Sequence, residues 1–267
     1  MKIIKHGLLI ALLSTSVSVY ADSRYSAISD IEDEPLFGDD FRSRVGIQGF
    51  YLPRYSGASS YEGVPFPLID VSWKNVLFVN SLRGLGAQYR FDNLYFGAVL
   101  NYDWGRDESD DSHLDGMGDV DGTAEGGGFI GYQLGNWRLE VDAMHAIGDS
   151  GYDGLEGKVA LANIQKFMDD RLIITASVQS SFADHNYMQA YYGVTSEQSI
   201  TSGYAQYSPS AGFYKAGGTL AAVYSLTPSI AVNGVVGYER LLDHASDSPI
   251  VQTGNQYRLG VGISYQF

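Results

Sequence analysis

The stretch that most constrains this chain is its end. From Gln256 to Phe267, the residues Tyr257, Leu259, Val261, Ile263, Tyr265 and Phe267 fall on one face of an extended segment. Arg258, Gly260, Gly262, Ser264 and Gln266 fall on the other. A period of two with one apolar face is a β-strand. An apolar face rimmed by tyrosine and phenylalanine suits a wall between lipid and a wetter interior. The question for the rest of the chain is whether it supplies enough such strands to close a barrel.

It repeats the pattern many times. Val45, Ile47, Gly49 and Tyr51 form one face of a first strand. Val64 to Trp73 is extended, because Pro65 and Pro67 exclude a helix and favour an edge or irregular strand. Leu94, Phe96, Ala98, Leu100, Tyr102 and Trp104 share a face opposite Tyr95, Gly97, Val99, Asn101 and Asp103. Gly126, Gly128, Ile130, Tyr132 and Leu134 lie opposite Glu125, Phe129 and Gln133, and after a Gly135-Asn136 turn Trp137, Leu139, Val141 and Ala143 lie opposite Arg138, Glu140 and Asp142. Leu155 to Phe167 is a less regular strand containing Lys158. Leu172, Ile174, Ala176, Val178 and Phe182 face away from Thr175, Ser177, Gln179 and Ser181. Tyr214, Ala216, Leu220, Ala222 and Tyr224 oppose Lys215 and Thr219, and Ile230, Val232, Val236 and Tyr238 oppose Asn233 and Glu239.

Short and long connections alternate. Tight turns fall near 92–93, 135–136, 169–170 and 227–228. Long loops fall at 106–122, 148–155, 183–209 and 243–254. Outer-membrane barrels have short periplasmic turns and longer outer loops. Both ends of the wall then face the periplasm, so the strand number is even. The expected fold is all-β: a transmembrane antiparallel outer-membrane barrel of 10–12 strands. Twelve is preferred, with Val76–Phe91 splitting into two short strands around Gly84.

Charge separates the barrel from a soluble sandwich. The inner phase carries Arg138, Glu140, Asp142, Lys215, Glu239 and Arg258. Burying these in a dry core costs several kcal/mol per unpaired ion. A wetted lumen removes most of that cost, so the six are candidate lumen-lining residues. The outer phase is almost free of charge, as lipid requires.

The ends add a route and an assembly signal. Residues 1–21 read as a signal peptide: Lys2 and Lys5 precede an apolar core from Leu8 to Leu13, and Val19-Tyr20-Ala21 offers a cleavage site. The core is too short to span a bilayer as a helix. Residues 22–43 form an acidic periplasmic tail with seven carboxylates against Arg24 and Arg42, and 44–267 form the barrel. Tyr265 and Phe267 are the candidate signal to the barrel assembly machinery. The cell outer membrane is the expected location, with lipid and lipopolysaccharide around the wall. Without Lys2 and Lys5, 15 basic side chains face 31 acidic ones. That balance argues against nucleic acid as a partner and favours cations. With no cysteine there is neither disulfide nor thiol chemistry.

Motifs for chemistry are sparse. Asp119-Val120-Asp121-Gly122 resembles half of a calcium loop, making Asp119 and Asp121 weak metal candidates, but the remaining ligand spacing is missing. No Gly-x-Ser-x-Gly or His-Glu-x-x-His appears. His185 beside Asp184 and His244 beside Asp243 are loop pairs without a nucleophile. The expectation is no enzyme and no cofactor.

Several ordered motifs carry a resemblance from about Val45 to Phe267. They are Arg83-Gly84-Leu85-Gly86, Gly116-Met117-Gly118-Asp119-Val120-Asp121-Gly122, Tyr191-Tyr192-Gly193-Val194-Thr195, Arg240-Leu241-Leu242, Asp247-Ser248-Pro249-Ile250-Val251 and Ile263-Ser264-Tyr265-Gln266-Phe267. In these the chain resembles the MipA/OmpV family of MltA-interacting outer-membrane proteins. The resemblance implies an outer-membrane barrel without catalytic residues. It also implies a scaffold joining a lytic murein transglycosylase to a bifunctional penicillin-binding protein. The inner-face charges keep open a narrow channel for small, cationic solutes, and the tyrosine-rich loop a surface adhesin. The motifs in the long loops fit a plug folded into the lumen.

Overall fold

Period-two alternation becomes hydrogen-bonded wall. The structure is a computed structural model describing residues 41–149 and 151–267. The expected signal peptide and residues 22–40 of the acidic tail lie outside the described residues. The strands are β1 (Phe41–Pro53), β2 (Tyr61–Trp73), β3 (Leu77–Asn80), β4 (Gly84–Phe91), β5 (Leu94–Asp103) and β6 (Thr123–Leu134). They continue as β7 (Trp137–Ala146), β8 (Leu155–Phe167), β9 (Leu172–Ala183), β10 (Gly212–Ser225), β11 (Ile230–Leu241) and β12 (Asn255–Gln266). Each strand pairs with its chain neighbours, and β1 closes on β12, from Arg44 opposite Gln266 to Tyr51 opposite Leu259. The twelve strands thus form one closed antiparallel barrel. Closure leaves every strand with a neighbour on each side, which a bilayer demands of backbone that crosses it.

The strand phases agree with the alternation. Leu259, Val261, Ile263, Tyr265 and Phe267 are exposed on the outside, and Arg258, Gly260 and Ser264 are buried inside. Aromatic pairs mark both rims of the apolar band. Tyr51 stacks on Tyr61 at 5.4 Å at the loop end, and Tyr265 meets Phe267 at 4.9 Å at the turn end. Such belts sit at the two interfaces of an outer-membrane wall. This chain is an outer-membrane β-barrel.

Three local readings change. β1 starts at Phe41, which pairs with Trp73, so Phe41–Ser43 belong to the wall and not to the acidic tail. Val76–Phe91 divides at Ser81–Arg83, because the Asn80 side-chain oxygen accepts from the amides of Leu82 and Arg83 and turns the chain. Tyr214, expected on the outer face with Ala216, points inward. A bulge between Phe213 and Lys215 shifts the register, so Tyr214 and Lys215 are both buried.

The long loops are not all irregular. Residues 184–211 hold helices α1 (His185–Tyr192) and α2 (Ser196–Ser202), and α3 (Asp243–Ser246) lies in the loop before β12. Asp184 caps α1 by accepting from the Tyr187 amide. Thr195 and Gln198 form a reciprocal capping box on α2, which Gly203 ends in the left-handed region. Two 3-10 turns, Glu108–Asp110 and Ser112–Leu114, shape the acidic loop.

Candidate functional site

The lumen wall has charged parts and an apolar part, and the two meet on β7. On β7, Glu140 and Asp142 are buried and Arg138 is half-buried, its guanidinium 5.5 Å from the Tyr95 ring. On β10 Lys215 is buried and its ammonium lies 3.6 Å from Glu156 of β8. On β12 Arg258 is buried, 3.5 Å from Glu239 of β11, and it donates to Thr219 at 2.9 Å. Gln179 of β9 donates to the same Glu239 at 2.6 Å. All six sequence candidates therefore point inward, but in separate groups and not as one ring. Beside Glu140 and Asp142, Phe78, Tyr95, Val99, Phe129 and Met144 form a buried apolar cluster.

Arg83 joins the charged and apolar parts. The tip of the β3–β4 hairpin turns inward, so its guanidinium sits 3.8 Å over the Phe129 ring and donates to Glu140 at 2.9 Å. Tyr95 donates to the other Glu140 oxygen at 2.7 Å. Sequence reading placed Arg83 at a bend and missed this role. No local signal marks it, because its partner lies 57 positions away.

The loop end is sealed by two apolar clusters. Helix α1 brings Tyr187, Met188, Tyr191 and Tyr192 down onto Tyr152, Tyr214 and Leu241. Beside them, Tyr55, Leu114, Met117, Val194 and Ile250 pack together from four different loops. Two tyrosine hydroxyls tie this plug to wall carboxylates, Tyr191 donating to Asp103 at 2.8 Å and Tyr152 to Glu125 at 2.5 Å, and under the plug Tyr214 of β10 donates to Glu156 of β8 at 2.7 Å. Asp103 and Glu125 lay on the expected inner phase. What hid them as plug anchors is that two of their tyrosines come from loop segments. Glu156 alternates with Lys158 and Ala160 along β8, a regularity that could have placed it on the inner face.

Electrostatics follow from burial. Burial pushes the hydroxyls of Tyr187 and Tyr191 well above the usual range, with neighbouring carboxylates adding to it, so both remain donors. Burial also lowers Arg106, whose guanidinium donates to the Tyr191 carbonyl at 3.2 Å. In the acidic loop, burial raises Asp110 to about 6 against a bond from the Asp107 amide.

The calcium half-motif is used for structure. Asp119 accepts from the Glu108 amide at 2.7 Å, and Glu108 accepts from the amide of Gly118 at 3.1 Å. No group of three His, Asp or Glu that could hold a metal occurs among the described residues. His185 donates from its ring Nδ1 to the Pro209 carbonyl, 2.9 Å away, as part of the plug. Tyr265 and Phe267 lie exposed at the turn-end rim.

Comparisons with known proteins agree with the sequence resemblance. The family described as MltA-interacting protein MipA matches residues 45–267. The MltA-interacting protein of Escherichia coli (strain K12) is 28% identical over 109 residues, 40% of this chain and 43% of that protein. The matched region thus spans less than half the length of that relative. Among solved structures, the NanC porin has a TM-score of 0.44 at 9% identity, covering 84% of this chain and 100% of that one. An outer membrane channel from Pseudomonas putida F1 has a TM-score of 0.43 at 12% identity, covering 89% and 99%.

Proposed function

Because this chain belongs to the MltA-interacting protein MipA family, we propose that it is a plugged, non-enzymatic barrel acting as a scaffold for murein-remodelling enzymes. The observation that carries this reading over transport is the sealed loop end. Two apolar clusters fill the mouth, and the plug is bonded to wall carboxylates at two points. At the other end Leu68, Val223 and Ala231 pack together across the lumen. A lumen sealed at the loop end leaves the periplasmic rim and the tail as working surfaces. The rim consists of tight turns with Lys74, Asp92, Asp169 and Asp170 in the left-handed region. The partner class comes from the family resemblance: a lytic murein transglycosylase and a bifunctional penicillin-binding protein. Tyr265 and Phe267 serve assembly in this reading.

One observation favours a second reading, the narrow channel. Side-chain oxygens of Thr175, Ser177, Gln179 and Ser181 on β9, and of Asn233 on β11, are buried without a hydrogen-bond partner. Water is the natural partner for such a stripe. A hydrated file along β9 would serve small solutes if the plug opened.

Two measurements decide between them. The refolded protein in a planar bilayer is expected to be electrically silent. A lytic transglycosylase is expected to co-elute with the barrel and to be lost on deleting residues 22–40 while the wall still folds. Steady cation-selective openings that change in Glu140→Gln and Asp142→Asn, with no retained enzyme, would make the channel primary.

A further inference from the structure

The barrel wall has a gap. β3 is four residues long and pairs with β2 only from Asp70 to Trp73. β2 continues to Tyr61, paired with β1 along its whole length. On its other side, Tyr61–Ile69 has no strand beside it among the described residues, and β2 does not pair with β5 above the hairpin. Two strand positions are missing there, an interval of about 14 Å from β2 to β5 at the usual interstrand spacing. The acidic loop roofs the gap: Ser60 bonds Asp111, and Arg54 donates to the Asp110 carbonyl at 3.1 Å.

The sequence of β2 is matched to this open edge. On the side away from β1, the Ile69 carbonyl accepts from the Ser81 amide and the Ile69 amide donates to the Ser81 hydroxyl oxygen. Strand alternation then directs the backbone groups of Pro67, Pro65 and Gly63 to the same side. Pro65 and Pro67 have no amide hydrogen, so at these two positions the edge loses no donor by lacking a strand. It keeps a row of carbonyls, to which no described residue donates a hydrogen bond. An added β-strand needs alternating donors and acceptors, and the prolines withhold the donors. The edge therefore does not suit strand addition by a second copy.

Unbonded carbonyls inside the apolar band are costly unless a donor reaches them. The prolines lie between the rim aromatics Tyr61 and Trp73, at lipid depth. Behind the gap, Phe50, Leu52, Val64 and Phe66 form an apolar lining on the lumen side. The loop end of the lumen is packed, so this side is a second way in.

We propose that the gap between the Pro65–Pro67 edge of β2 and β5 is a lateral portal that admits a cationic amphiphile from the outer leaflet. Its ammonium donates to one carbonyl at a time, that of Pro65 or of Pro67, and its alkyl chain lies against Val64 and Phe66. The sign of the head follows from the two proline positions, which offer carbonyls and no donor, beneath a loop with seven carboxylates from Asp107 to Asp121. The Arg54 charge at the roof is offset by Glu62, 3.9 Å away. This portal is independent of the scaffold reading.

The absence of cysteine makes the test direct. Phe66→Cys, with Val64→Cys as a second variant should the first fold poorly, carries a bimane label in phosphatidylcholine vesicles. Leu259→Cys on the lipid face of β12 reports the membrane concentration of the quencher. Spin-labelled dodecylammonium is compared with spin-labelled dodecanoate. Relative to Leu259→Cys, the ammonium probe is expected to quench the inner label at least about threefold more than the carboxylate probe. Shielding of the inner label from both probes, or equal quenching by both, would overturn the proposal.

Discussion

Arg83 donates to Glu140 at 2.9 Å across 57 positions of sequence, with the Phe129 ring 3.8 Å beneath the guanidinium. This contact holds the β3–β4 hairpin tip inside the barrel. Removing one partner leaves the other charge buried, so Arg83→Ala is expected to cost about 3–5 kcal/mol. Arg83→Ala combined with Glu140→Ala is expected to cost less than the two single changes added together. Urea unfolding midpoints in detergent micelles measure both.

Tyr191→Phe tests the plug. The variant leaves Asp103 without its 2.8 Å donor. A buried acceptor losing its partner costs about 1–3 kcal/mol. Hydrogen exchange in α1 is expected to speed up by roughly tenfold or more, with the wall strands unchanged. Unaltered exchange in residues 185–192 would remove the hydroxyl from any anchoring role.

Glycine on the inner face of β5 makes room for this packing. A Cβ on Gly97 would meet the Ala87 carbonyl oxygen at 2.3 Å and the Phe129 ring at 2.5 Å. Gly97→Ala is therefore expected to destabilise the barrel by about 1–3 kcal/mol. Gly49→Ala, where nothing lies within 4 Å, is expected to stay within about 0.5 kcal/mol. Equal midpoints for the two variants would contradict the close approach.

The acidic loop should respond to pH through Asp110. Burial raises this carboxyl from 3.8 to about 6. A raised folded-state value means that the folded loop binds the proton more tightly than the unfolded one. Its contribution is complete below pH 4 or so and is lost as pH rises through about 6. Exchange in residues 104–122 is expected to be slower at pH 5 than at pH 8, after correction for intrinsic rates. Asp110→Asn is expected to flatten that difference.

The phase of nearly every strand was legible in the residues. Lipid accepts no charge on its face and a lumen tolerates it, so Glu140, Asp142 and Arg258 mark the inside by their place in the alternation alone. Tyr214 escaped because a bulge breaks the alternation, and the extra residue leaves no mark on composition. The plug escaped in detail for a different reason. A loop rich in tyrosine, serine and glutamine has the same composition whether solvated or folded inward. Its seal depends on contacts such as that of Tyr55 with the Ile250 carbonyl, 195 positions apart.

What the sequence determined by itself is everything with a period of two: strands, their lipid and lumen faces, the aromatic rims and the terminal strand that closes the wall. Alternation is a property of the extended backbone, so it is written locally. Tertiary structure alone decided that the β3–β4 tip turns inward, that β2 keeps an open proline edge, and that tyrosines lock the mouth. Those features depend on which distant residues closure and register bring together, and no local pattern encodes a distance across the lumen.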